Sequence, residues 1–173
     1  MNMRIQSTSP QPAATAERYA LVKLDGLNLM VPQGGIRTLE SVADVRPDDP
    51  PENGIGWIDF QRTKWPVYCL TEDLAVAITL PPSRRICALL SVENGFVGLA
   101  CSEVVLIKEG APRPHAVPDC MAFVGSPITA LVHYGEGMAC LTSAQRIADY
   151  VSTQDHEAPL ADLQSNPSRN DHA

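Results

Sequence analysis

Three groupings in this chain hold residue types able to do chemistry. His115, Asp119 and Cys120 share one short Pro-rich loop, an arrangement open to two uses. A thiol nucleophile could draw on a neighbouring base, or the three side chains could supply half of a zinc site. Cys101-Ser102-Glu103 places a thiol, a hydroxyl and a carboxylate in succession, but it closes an apolar run and reads equally as the end of a strand. The five cysteines (Cys69, Cys87, Cys101, Cys120 and Cys140) form no C-x-x-C pair, and four of them sit inside apolar runs, which suits buried, reduced thiols. His133 falls in a strand-like run with no second ligand at metal spacing, and His156 and His172 fall in a polar terminal stretch. The chain has no phosphate-binding Gly loop, dinucleotide fingerprint, nucleophile elbow or H-E-x-x-H. Neither a cofactor nor a metal is expected.

A second kind of site is a surface. Trp57 and Trp65 flank one hairpin in a chain that is only 5% aromatic, and Arg62 lies in the turn between them. Trp fills cores, and it also carries binding energy at interfaces. An Arg on a turn is a solvated charge or an anchor for a partner.

The elements that must position these residues are β-strands. Tyr19 to Leu24 and Leu27 to Pro32 form a hairpin about Asp25-Gly26, a dipeptide suited to a type I′ turn. In the following segment Ile36, Leu39 and Val42 recur at helical spacing, which predicts a short helical segment or structured loop. Ile55 to Phe60 pairs with Trp65 to Leu70 across Gln61-Arg62-Thr63-Lys64, a turn without Gly or Asn. Pro66 places its strand at an edge or near its own start. Ile86 to Val92 pairs with Phe96 to Cys101 about Asn94-Gly95, and Val104 to Ile107 continues the second strand after a bulge at Ser102-Glu103. A last hairpin turns at Gly135-Glu136-Gly137. Thr142 to Gln145 fits a capping box, after which Ala144, Ile147, Ala148 and Val151 line one helical face.

At 173 residues and 45% hydrophobic, the chain can bury roughly 65–70% of the surface exposed when unfolded. No apolar run approaches the ~20 residues of a membrane span, so direct membrane insertion is not expected. The N-terminal stretch lacks the apolar core of a secretory signal, which points to a cytoplasmic location. A net charge of −7 argues against nucleic acid as a partner. Residues 1–17 and 152–173 read as disordered tails around an ordered body, 18–151, with no sequence repeat.

The order of elements resembles the CheW-like domain of bacterial chemotaxis adaptors. Asp59 to Leu70 fall on the pattern N-L-R-G-x-x-x-P-V-x-D-L, with Pro66, Val67 and Leu70 matching. Gly98 to Val104 fall on G-L-x-V-D-x-V with Ser102 at the acid, and Ile36 to Leu39 on V-x-E-I with Thr38 at the acid. If Pro66 sets the register, Gln61 stands at the motif Arg and Arg62 at its Gly; a turn one residue shorter places Arg62 on the Arg.

The resemblance implies an all-β fold of two small five-stranded SH3-like barrels with a C-terminal helix. It also implies a non-enzymatic scaffold joining the cytoplasmic tips of methyl-accepting chemoreceptors to a CheA-type histidine kinase, in flagellar chemotaxis or type IV pilus motility. The receptor-facing residues would be Ile36, Arg37, Leu39, Phe60, Gln61, Arg62 and Trp65. Two alternatives stay open: a regulator that competes for the adaptor's place, and a small β-barrel thiol enzyme or ligand carrier using His115 and Cys120.

Overall fold

The computed structural model describes residues 17–108 and 112–153. The two tails expected from the sequence therefore lie almost wholly outside the described residues. Twelve strands form two sheets: β1 (Tyr19–Leu24), β2 (Leu27–Pro32), β3 (Ile36–Ser41), β4 (Gly56–Phe60), β5 (Thr63–Leu70), β6 (Val76–Ala77), β7 (Ile86–Val92), β8 (Gly95–Cys101), β9 (Glu103–Leu106), β10 (Pro114–His115), β11 (Ala130–Tyr134) and β12 (Gly137–Leu141). One helix, α1 (Ala144–Thr153), closes the described chain two residues beyond the expected boundary.

The first sheet runs β10-β11-β12-β2-β1-β9 and the second β3-β7-β8-β5-β4, with β6 added on β5. Each therefore has five principal strands and a two-residue sixth, as the two five-stranded barrels require. Both sheets follow one plan that the sequence does not display as a repeat: two hairpins joined by a parallel contact between their second strands, β2 with β12 and β5 with β8. Backbone hydrogen bonds of 2.8 Å in both directions between Arg46 and Trp57 tie the chain after β3 to β4, drawing the two margins of the second sheet together.

The central strands bury both faces, which is why their apolar runs alternate imperfectly. Tyr68, Leu70, Ala88, Leu90, Leu99 and Cys101 face a shared core that includes Val22, Leu24, Leu29, Val31 and the helix. Their sequence neighbours Val67, Cys69, Cys87, Leu89 and Ala100 fill the interior of the second sheet with Ile55 and Ile58. A smaller cluster, Leu21, Met30, Val132 and Ala139, fills the first. Arg84 is buried between the sheets at 2% exposure. Its guanidinium donates to the carbonyls of Leu70 (2.9 Å) and Ala100 (3.0 Å) and to the Asp25 carboxylate (2.9 Å).

Several expectations are corrected. The segment from Ile36 is a strand through Ser41, and only Val42–Asp44 is a 3₁₀ turn. Ile36 and Leu39, spaced as on a helix, point to opposite faces of that strand: Ile36 packs on the shared core and Leu39 is 46% exposed. The β4–β5 turn has two residues, not four, because Phe60 pairs with Thr63. Gln61 and Arg62 both adopt left-handed φ, 51° and 64°. In the first hairpin the left-handed φ falls on Asp25 (57°) and not on Gly26, so the type I′ turn is not formed.

Ser102 is a crossing between sheets and not a bulge within a strand. β8 belongs to the second sheet and β9 to the first, and both the N–H and the hydroxyl of Ser102 donate to the Lys23 carbonyl, at 2.9 and 3.0 Å. The capping box is also replaced. Ser143 Oγ accepts the Arg146 N–H (3.3 Å), the Thr142 hydroxyl donates to the Pro127 carbonyl (2.7 Å), and Gln145 Oε1 accepts the Glu93 N–H (2.9 Å). Tertiary partners took two side chains that a local reading assigned to the helix end. The apolar helical face is as expected, with Ala144, Ile147, Ala148 and Val151 buried and Tyr150 added to them.

Candidate partner-binding surface

The parallel pairing of β5 with β8 brings the starts of both strands, and hence the turns at Gln61-Arg62 and Glu93-Asn94, to the same end of the second sheet. β3 begins at that end too, since Ile36 pairs with Leu90 near the close of β7. Of the seven residues singled out by the resemblance, Phe60, Gln61, Arg62 and Trp65 sit at this end and Ile36 and Arg37 open β3 near it, whereas Leu39, opposite Ala88 and so level with Tyr68, stands farther along the sheet. Arg37, Leu39, Gln61 and Arg62 are exposed and Ile36, Phe60 and Trp65 half-buried, Ile36 against the core shared by the two sheets and the two aromatics against the interior of the second sheet.

Phe60 and Trp65 build an aromatic floor with Phe96. Phe96 meets Phe60 edge-on at 5.3 Å between ring centroids and Trp65 at 5.1 Å. Trp65 Nε1 donates to the Phe60 carbonyl at 3.1 Å, satisfying the indole across the hairpin. The indole lies against Gly95, where an added Cβ would come within 2.2 Å of it, and Gly95 holds φ 131°. No other residue fits there, so Asn94-Gly95 serves the aromatic contact as well as the turn. Trp57 packs elsewhere, donating its Nε1 to the Asp49 carbonyl at 2.7 Å.

On this floor Gln61 and Arg62 stand on a two-residue turn whose backbone is unfavourable for both, costing about 1–2 kcal/mol per residue relative to the right-handed region. Strain of this kind persists where the surrounding strands hold it, and it collects at ligand-contacting positions. The turn aims a guanidinium, able to form two parallel hydrogen bonds to a carboxylate, outward from fixed strands. Arg46 forms an ion pair with Asp59 on β4, which ties down the opposite side of the hairpin. Arg37 occupies the bulge between Ile36 and Thr38 in the β3–β7 register, so it projects beside an irregular margin of the sheet.

Sequence reasoning missed two contributors. Phe96 joins the two predicted aromatics, and the Glu93-Asn94 turn links this end to the helix through Gln145. A Phe directly after a turn Gly was the only available signal, since the parallel β5–β8 pairing that brings it to Trp65 is not written locally. The buried Arg84 carried none, because its partners lie 59, 16 and 14 residues away.

The thiol candidates part company. Burial pushes the Cys87 and Cys101 thiols up to about 12 and raises those of Cys69 and Cys140. Cys120 is exposed on a 3₁₀ turn, Asp119–Met121. The His115 ring packs edge-on against His133 at 5.2 Å. Among the described residues no three His, Cys, Asp or Glu side chains are grouped to hold a metal ion. No described helix is long and apolar enough to cross a membrane.

No family model matches the sequence, and no curated protein matches it. A search of solved structures does find likeness: the crystal structure of the scaffolding protein TtCheW from Thermoanaerobacter tengcongensis superposes with a TM-score of 0.59. The likeness covers 76% of this chain and 91% of that one at 12% sequence identity. The fold is CheW-like, in a chain whose sequence has diverged widely from that relative.

Proposed function

We propose that this protein is a cytoplasmic, non-enzymatic adaptor that couples the tips of methyl-accepting chemoreceptors to a CheA-type histidine kinase. The observation that carries the reading is the CheW-like arrangement of two sheets with the motif hairpin of β4 and β5 presented at one end. A scaffold needs surfaces rather than reactive groups, and linking receptor and kinase in one lattice multiplies weak contacts through effective concentration. The receptor-facing surface is Arg37, Leu39, Gln61 and Arg62, held in place by Ile36, Phe60 and Trp65. The left-handed φ of Arg62 is the conformation a Gly would adopt, which supports the register in which Arg62 stands at the motif Gly and Gln61 at the motif Arg. In that register Arg62 supplies the guanidinium from the neighbouring turn position.

Affinity purification of the tagged full chain from its native host tests the proposal. Recovery of both a CheA-type kinase and a chemoreceptor is expected. Recovery of a receptor without kinase, with kinase activity rising when the protein is deleted, would make it a competitor for the adaptor's place. Recovery of neither would overturn the adaptor reading.

A further inference from the structure

Two adjoining cavities, of about 760 and 430 Å³, flank the segment between β10 and β11 and share Val117, Phe123 and Ile128 as a common wall. The first runs along α1 beside Tyr150, and the second is floored by Leu27, Leu74 and Cys140. Met121 and Phe123 rise from this segment half exposed, at 51% and 50%, although Phe123 also meets the Tyr150 ring at 6.2 Å. Two large apolar side chains left open over an apolar floor form a patch that solvent covers poorly. The charged side chains lining the cavities are the carboxylates Glu72, Asp73 and Asp149 against one guanidinium, Arg146. One Asp149 oxygen already accepts from Gln145 Nε2 at 2.7 Å, whereas Glu72 and Asp73 stand together at the mouth of the second cavity.

We infer that this groove is a second docking surface, which takes an amphipathic protein segment carrying large apolar side chains flanked by Lys or Arg. The apolar floor accepts the side chains of one face, and the Glu72-Asp73 rim meets the cations beside them. Its acidic rim lies apart from the Gln61-Arg62 turn. Residues 72–74 follow the end of β5, whereas Gln61-Arg62 precede its start, and eight residues of strand span roughly 26 Å. The inference stands whether or not the adaptor reading holds.

Fluorescence anisotropy with labelled 18-residue synthetic peptides on the full chain tests it. A Leu/Lys peptide with helical amphipathic spacing should bind at least tenfold more tightly than its Leu/Glu counterpart and than a scrambled Leu/Lys peptide. Met121→Ser with Phe123→Ser should weaken binding about tenfold, and Glu72→Lys with Asp73→Lys should weaken it severalfold. The remote pair Asp48→Lys with Glu136→Lys should leave it unchanged. Thermal melts check folding. Should the serine variant unfold, the exposed Glu72 and Asp73 variants still decide the question. Equal binding of the scrambled or acidic peptide, an equal loss in the remote variant, or no binding would overturn the inference. So would a concentration-dependent dimer in sedimentation that the serine variant abolishes, since a second copy would then occupy the groove.

Discussion

Arg62 and the cysteines bring the residue scale to experiment. The braced turn orders the Arg62 backbone before binding, which leaves the rotamer freedom of its exposed side chain as the ordering cost. Arg62→Ala is expected to weaken receptor association by roughly 1–3 kcal/mol, the range for a charge-assisted hydrogen bond, while leaving the melting temperature nearly unchanged. Gln61→Ala should have a smaller effect; titration of the purified receptor tip against both variants gives the comparison. For the thiols, nucleophilic attack needs the thiolate, and burial suppresses it at four positions. Iodoacetamide at neutral pH should therefore modify Cys120 alone in the folded protein and all five cysteines in denaturant, as counted by mass spectrometry. Fast native labelling of Cys87 or Cys101 would contradict the packing described.

At the scale of elements, α1 is held by tertiary contacts more than by its own sequence. Ile147 and Val151 are fully buried, and Ile147→Ala should cost roughly 2–4 kcal/mol of stability in urea titration. Thr142 gives a sharper test of the replaced capping box. Its hydroxyl tethers Pro127, so Thr142→Val should strip a buried carbonyl of its partner at a cost of about 1–3 kcal/mol. Ser143→Ala should remove the actual cap at about 1 kcal/mol. A larger loss from Ser143→Ala than from Thr142→Val would restore the local reading of this helix end.

At the scale of the whole molecule, Arg84 joins the two sheets. Removing it orphans two buried carbonyls, and Arg84→Leu should destabilise by roughly 3–5 kcal/mol, read from the shift in urea midpoint. Its third partner makes the lock sensitive to acid. Hydrogen bonds from Ser83 first, then Arg84, hold the Asp25 carboxyl below its ordinary pKa. A group depressed in this way stabilises the fold above its unfolded pKa of about 3.9, and the contribution is lost as pH falls through the lower, folded value. The urea midpoint should thus fall as pH drops below about 4, and Asp25→Asn should flatten that part of the profile.

What the sequence determined by itself was local and periodic. Turn dipeptides marked the β1–β2, β7–β8 and β11–β12 hairpins, the 3.6-residue apolar period marked α1, and the motif residues around Pro66 marked the fold. These signals are short-range, carried by residues that touch within a few positions. The tertiary structure decided what depended on distant partners. The two-residue turn forces left-handed φ on Gln61 and Arg62 because β4 and β5 are registered against the rest of the sheet. β3 is a strand because β7 offers it a ladder, despite apolar spacing that suits a helix. Arg84, Thr142 and Gln145 found partners 14 to 59 residues away. The gathering of β3 and two turns at one end of the second sheet came from the parallel β5–β8 pairing, a contact between strands of separate hairpins that no local pattern encodes.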